Sequence, residues 1–229
     1  MASVQIIIAD DHPVVLMGLK ALLENQGSAF RLAGEAHGGR ELLALLSERA
    51  CDLLITDFSM PGEPDSDDGL LLLNRVRRAH PALPIVVLTM LRNPALIRGM
   101  LAVGVQAVVD KASMMKELLL AVHAVTAGRS YLSESLRADM LEQGAGGGSA
   151  SSPVGSAGST PSSGSVVLSA REAEIVRLYA GGLTITQIAE QVHRSVKTVS
   201  QQKNDAMRKL GLDSNSQLYE YARRNGLLA

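Results

Sequence analysis

The sequence predicts two structural classes in one chain: a doubly wound α/β fold on a five-stranded parallel sheet, then an all-α, four-helix helix-turn-helix domain. Three observations carry that prediction. Short apolar runs alternate with helical patterns through the first half. A stretch dominated by Gly and Ser follows, and beyond it helix-start signals recur without a single strand-like run.

Each element of the first half can be justified in order. "VQIIIA" is an apolar run that gives way to a helix at Pro13, and "FRLAGEA" precedes "GRELLALLSERA". "DLLIT" leads into the Leu-rich stretch from Gly69 to Ala79, and "LPIVVLT" into Pro94 to Val103. "QAVVD" precedes "SMMKELLLAVHAVTA". Continuous apolar strands, rather than alternating ones, are those buried on both faces by crossover helices, and such crossovers are right-handed.

From Gly144 to Ser165 the chain carries no charge and 15 of its 22 residues are Gly or Ser. Such a stretch cannot bury enough apolar surface to offset its ordering entropy, so it reads as a tether with ends roughly 25 Å apart. The expected division is 1–128, a linker over 129–165 that is Gly/Ser-rich from 144, and 166–229. In the last part, "SARE", "TITQ" and "SNSQ" match the capping-box spacing, and Ser195 starts a helix running to Leu210. Gly181-Gly182 and Gly211 supply stops, and His193-Arg194-Ser195 forms a tight turn between the second and third helices.

Charge divides with the domains. Net charge is −1, yet residues 1–128 hold 11 basic against 14 acidic residues, while 166–229 hold 9 against 6. A basic second domain fits a polyanionic partner. No apolar run approaches the ~18 residues that span a bilayer, and "MASVQ" lacks the basic start of a signal peptide. Cys51 is the lone cysteine, so no intrachain disulfide can form. A cytoplasmic protein is expected.

The chemistry gathers at strand ends. In a parallel sheet all C-terminal strand ends share one edge, where ligands bind. Asp10-Asp11, Asp57, Thr89 and Lys111 each fall at such an end. Three carboxylates brought together need a cation, and an all-oxygen set suits Mg²⁺. Asp57 can then act as a nucleophile that carries phosphate, with Lys111 and the Thr89 hydroxyl set for phosphoryl oxygens. Each signal alone has a plainer reading. Asp11 before His12-Pro13 makes a good helix N-cap, Thr89 ends a β-branched run, and a single Lys near a strand end is usually solvated. Their joint order at matching ends favours the site.

"ADDHPVVLMGLKALL", "LLITDFSMPG", "IVVLTM" and "VVDKAS" resemble the receiver domain of bacterial two-component response regulators, a flavodoxin-like fold, over residues 4–127. The resemblance implies Asp57 as phosphoacceptor, Asp11 as direct metal ligand, Asp10 acting through water, and the Ser59 backbone carbonyl as a further ligand. It assigns Thr89 as switch hydroxyl and Lys111 as phosphate-pairing lysine. Three departures stand out: extra acids in "MPGEPDSDDG" (Glu63, Asp65, Asp67, Asp68), Val108 where many receivers place a switch aromatic, and Met90 where a small residue is common. The acidic insertion reads as a solvated loop.

Residues 168–222 resemble the LuxR-type helix-turn-helix, which together with the receiver marks the NarL/FixJ class of regulators. Within it, "ITDFSMPG" and "RSVKTVSQQKNDAMRKLG" look most like regulators of the Rcs phosphorelay. The helical wheel agrees with this from the residues alone. Val196, Val199, Ala206, Met207 and Leu210 share a packing face of the third helix, while Lys197, Gln201, Asn204 and Arg208 lie opposite. Amides and a cation there suit base edges, and Arg194, Lys197 and Thr198 suit phosphates. Ser200 joins this candidate DNA-binding set, although many relatives carry Lys there and His at Gln202, so base preference does not transfer. Lys203 falls oddly toward the apolar face.

The resulting expectation is a transcriptional regulator whose phosphorylation by a sensor histidine kinase or histidine phosphotransfer protein promotes dimerisation on double-stranded promoter DNA. A homodimer is expected, with a hetero-dimer with an auxiliary regulator as the variant. Two rivals remain. The receiver could be a hetero-dimerisation scaffold that needs no phosphate, or the sheet could belong to an aspartyl-phosphate phosphatase. The latter wants an acid two residues after the nucleophile, where this chain has Ser59.

Overall fold

The computed structural model describes residues 3–60, 68–145 and 168–228. Six parallel strands, β1 (Val4–Ala9), β2 (Phe30–Ala36), β3 (Leu53–Asp57), β4 (Ile85–Thr89), β5 (Ala107–Asp110) and β6 (Tyr131–Leu132), lie in the order β2-β1-β3-β4-β5-β6. The doubly wound parallel sheet is therefore present, with one strand more than the five expected. β6 pairs only Tyr131 and Leu132 with Ala107 and Val108. Two residues are too few to generate a periodic signal, so pairing to the β5 edge, not local pattern, makes this strand.

Five helices cover the first five strands: α1 (Pro13–Glu24), α2 (Gly39–Glu48), α3 (Gly69–Ala79), α4 (Pro94–Ala102) and α5 (Met114–Thr126). Alternate side chains of each strand feed two apolar layers. Ile6, Ile8, Leu53, Ile55, Val86, Leu88 and Val109 pack with α1 and α5, whereas Ile7, Leu54, Ile85, Val87 and Val108 pack beneath α2, α3 and α4. Ile6, Ile7 and Ile8 are all fully buried, each worth about 2 kcal/mol of hydrophobic stabilisation. Burial on both faces is why the strands read as unbroken apolar runs.

A further helix, α6 (Glu134–Ala145), lies inside the segment expected to be linker. Its apolar residues show almost no one-sided periodicity, so the sequence pattern conceals it. Leu136 is fully buried, the Ser133 hydroxyl accepts from the Asp110 N–H at 2.8 Å, and Ser135 Oγ donates to Asp110 Oδ2 at 2.9 Å. Most of the Gly/Ser stretch lies outside the described residues.

The second domain is helical: α7 (Ala170–Ala180), α8 (Ile185–Gln191), α9 (Val196–Leu210) and α10 (Asn215–Arg224). Ser169, Thr184 and Ser214 each form a complete capping box, and Ser195 Oγ accepts from the Thr198 N–H at 3.1 Å. Gly211 ends α9 in the left-handed conformation, φ 65°. His193 takes a left-handed φ of 50° in the turn between α8 and α9. The two domains share apolar packing: Leu91, Ala95 and Leu96 fall in one continuous cluster with Ala173, Val176, Leu218 and Leu227. Among the described residues no helix is long and apolar enough to cross a membrane.

Candidate phosphoacceptor site and nucleic-acid face

The β1, β3 and β5 C-termini meet at one crevice because their registers align: Ile8 lies beside Ile55, Asp57 beside Leu88, and Thr89 beside Asp110. Lys111, immediately after β5, bridges the acids, with its Nζ 2.7 Å from both Asp10 Oδ2 and Asp57 Oδ2. Asp10, Asp11, His12 and Asp57 offer ligand atoms that all lie within 4.8 Å of one another. The opening pair of acids divides its duties. Asp10 is fully buried and its Oδ1 accepts the His12 N–H at 2.9 Å, while the Asp11 side chain is partly exposed and pairs with His12 Nδ1 at 2.7 Å.

Burial is the largest influence on Asp57, and it disfavours the charged form. Lys111 opposes that effect by charge and hydrogen bond, Asp10 adds repulsion, and the Ser59 backbone N–H donates to the carboxylate. The balance leaves Asp57 pushed up to about 6. Burial works against the Lys111 ammonium too, but the two carboxylates outweigh it and its pKa is raised. This is a high-energy pocket of like charges held together by one lysine, and a divalent cation fits its oxygen donors.

Other expectations change in detail. The residue capping α1 is His12 rather than Asp11, and no side chain bonds into that cap, because Asp11 is turned toward His12. His12 was assigned no part, yet it belongs to the acidic cluster; its place beside Asp11 in "DDHP" is the signal that pointed there. Thr89 is buried at the same edge, and its hydroxyl accepts from the Leu91 N–H at 2.9 Å. Val108, fully buried in β5, leaves no aromatic to swing at that position, and Met90 is half exposed at the rim. Glu63, Asp65 and Asp67 lie outside the described residues. Asp68 is not solvated, as its place in an acidic insertion suggested; it is buried, with its Oδ1 accepting the Met60 N–H at 2.8 Å.

On α9 the candidate nucleic-acid face is exposed at Lys197, Thr198, Gln201, Asn204 and Arg208, with Arg194 exposed in the preceding turn and Ser200 half-buried. Asp205 sits among them: Gln201 Nε2 donates to its Oδ1 at 3.0 Å, and Arg208 pairs with the same oxygen. At 100° per residue this acid falls next to Gln201 on the exposed side of the helix, one turn from it. Val199 and Ala206 are buried, but Val196 is 49% exposed, because it stands in the first turn ahead of the packed stripe. The odd placement of Lys203 resolves. Its Nζ lies 4.4 Å from the Tyr179 ring centroid and donates to Asn215 Oδ1 at 2.6 Å, tying α9 to α7 and to the start of α10.

Comparison with known proteins agrees with this geometry. Residues 6–123 match the response regulator receiver domain family, and residues 166–222 match the bacterial regulatory proteins of the luxR family. The chain is 36% identical over 221 residues to the transcriptional regulatory protein RcsB of Escherichia coli K12, covering 96% of this chain and 94% of the relative. Its structure resembles RcsB from Salmonella enterica serovar Typhimurium bound to promoter rprA in the presence of phosphomimetic BeF3⁻ (TM-score 0.77, 34% identity, 96% and 98% covered). It also resembles two RcsB dimers bound to two parallel DNAs (TM-score 0.60, 33% identity, 96% and 98% covered).

Proposed function

Because this chain belongs to the response regulators, with a receiver domain joined to a LuxR-type helix-turn-helix domain, we propose that it is a transcriptional regulator switched by phosphorylation of Asp57. The donor is a sensor histidine kinase or histidine phosphotransfer protein, and the outcome is dimerisation and binding to double-stranded promoter DNA. Cytoplasmic operation, and a role as regulator rather than enzyme, follow from the same reading. The observation that carries it is Lys111 Nζ, 2.7 Å from both Asp10 and Asp57. A lysine so placed neutralises the acids at rest and is at hand for a phosphoryl oxygen once one arrives.

Each residue has a definable task. An Asp57 carboxylate oxygen attacks phosphorus, forming an O–P bond as the donor's bond to phosphorus breaks and the leaving group departs with the electron pair. Lys111 then shifts toward the new phosphate, and the Thr89 hydroxyl exchanges its bond with Leu91 N–H for one donated to phosphate, moving the loop before α4. Asp10, Asp11, Asp57 and the Ser59 carbonyl would hold Mg²⁺, which supplies the positive charge that lets two anions approach. On α9, Lys197, Thr198 and Arg194 engage phosphates, while Ser200, Gln201, Asn204 and Arg208 face base edges. The promoter complexes of the Salmonella relative, formed with a phosphomimetic, and the dimers seen on DNA support this reading.

The test is phosphate incorporation from acetyl phosphate and Mg²⁺. Wild-type protein should form an acid-stable, alkali-labile acyl phosphate and Asp57→Ala none; undiminished labelling of the variant overturns the assignment.

A further inference from the structure

Arg177 belongs to α7 of the helix-turn-helix domain, yet its guanidinium is buried against the receiver. Its Nε and Nη2 donate to the two Glu174 carboxylate oxygens at 2.9 and 3.0 Å, and Nη2 also donates to Asp68 Oδ2 at 2.9 Å. Nη1 donates to Ser59 Oγ at 3.0 Å, across 118 positions of sequence. The guanidinium carbon lies 5.4 Å from the Phe58 ring centroid. Glu174 in turn occupies the start of α3, where it accepts from the Leu70 N–H at 3.4 Å. That approach demands glycine at position 69, which has φ +58° and where a Cβ would collide with the Glu174 carboxylate.

A buried cation is destabilising unless paired. Here two carboxylates pair it, so the triad carries a net −1 and presents no surplus positive charge to the acidic crevice. The chain of bonds also continues inward. Ser59 takes Arg177 on its hydroxyl and gives its backbone N–H to the Asp57 carboxylate. Asp68 takes Arg177 on one oxygen and the Met60 N–H on the other, and Gly69 N–H donates to the Phe58 carbonyl at 3.1 Å. Of the three residues after Asp57, Arg177 lies over the Phe58 ring, bonds Ser59 directly and reaches Met60 through Asp68.

We propose that Arg177 is a positioning residue for phosphoryl acceptance: through Ser59 and Asp68 the DNA-binding domain fixes the backbone after Asp57 and so orients the attacking carboxylate. The proposal rests on Asp57 being the phosphoacceptor. The bond changes stay those described above; Arg177 touches no reacting atom. It acts by fixing the Ser59 backbone two positions beyond Asp57, while Lys111 holds Asp57 Oδ2 from the other side, which is orientation supplied before the reaction. Because coupling between sites is reciprocal, occupancy of the phosphoacceptor site then also biases how the domains pack.

The experiment uses the full chain with acetyl phosphate and saturating Mg²⁺, reading initial labelling rate and thermal unfolding for wild type, Arg177→Ala, Arg177→Lys, Ser59→Ala and the double variants. Arg177→Ala and Ser59→Ala should each slow labelling about three- to ten-fold, the scale of one hydrogen bond. The Ala/Ala double variant should be no slower than Arg177→Ala, since both break one chain of contacts. Arg177→Lys keeps the charge but loses the fork, and should recover only part of the rate. Should Arg177→Ala fail to fold, the same cycle is run with Arg177→Lys. Labelling of the Arg177 variants at or above the wild-type rate, or losses that multiply in the double variant, overturns the proposal. Absence of label on wild-type Asp57 would instead overturn the phosphoacceptor reading itself.

Discussion

Asp57 sits between two opposed influences, burial that resists its charge and Lys111 that invites it, and burial prevails. The sign of the pH effect follows. A folded value raised from 3.8 to about 6 means that the neutral acid accumulates as pH falls through about 6, and the neutral acid is no nucleophile. At low Mg²⁺, labelling should therefore drop as pH falls through that point. Saturating Mg²⁺ favours the carboxylate and should move the midpoint downward; rates normalised to donor protonation check both, and a pH-independent rate contradicts the site as drawn. The strand-end acids and Lys111 could be read from sequence because the parallel sheet brings their strand ends to one edge. The buried role of Asp68 could not, since its partner Arg177 lies 109 positions away.

On α9, self-pairing sets what the helix offers to DNA. Asp205 holds both Gln201 and Arg208, so the amide and the cation proposed to face base edges are both occupied in the absence of DNA. Asp205→Ala frees both and removes repulsion toward phosphates, so non-specific affinity should rise several-fold at low salt; an unchanged affinity would show the pairing to be incidental. Lys197→Ala should weaken binding alike across sequences and reduce the salt slope by about 1, whereas Gln201→Ala should relax base preference, both measurable by gel shift. Helix starts were readable because capping is a matter of three-residue spacing, as at Ser169, Thr184 and Ser214. α6 was not, because its order comes from Ser133, Ser135 and Leu136 packing on β5 and not from its own pattern.

The two domains are fastened at a second place beyond Arg177. Arg92 N–H donates to the Gly226 carbonyl and Asn93 Nδ2 to the Asn225 carbonyl, both at 3.1 Å, so the loop after Thr89 meets the end of α10. Between these contacts α4 and α7 approach closely at Gly99, where a Cβ would come 2.9 Å from Ala170 Cβ. Gly99→Val should force α4 and α7 apart while sparing the sheet. The expected result is a larger radius of gyration by small-angle scattering with helical content retained; an unchanged radius would mean that the interface tolerates the added volume. The segment after Asp57 and the loop after Thr89 are thus both in contact with the DNA-binding domain at rest.

Local and periodic information sufficed for the α/β alternation, the capped helices, the turn at His193 and the edge at which Asp10, Asp11, Asp57, Thr89 and Lys111 assemble. Those features depend on spacing within one element or on the fixed geometry of a parallel sheet. The added strand, the buried Asp68, the Lys203 contact with Tyr179 and the Arg177–Ser59 bond arise where distant segments meet. Their energies depend on which partner removes a polar group from water, and no stretch of sequence carries that information until the chain has closed on itself.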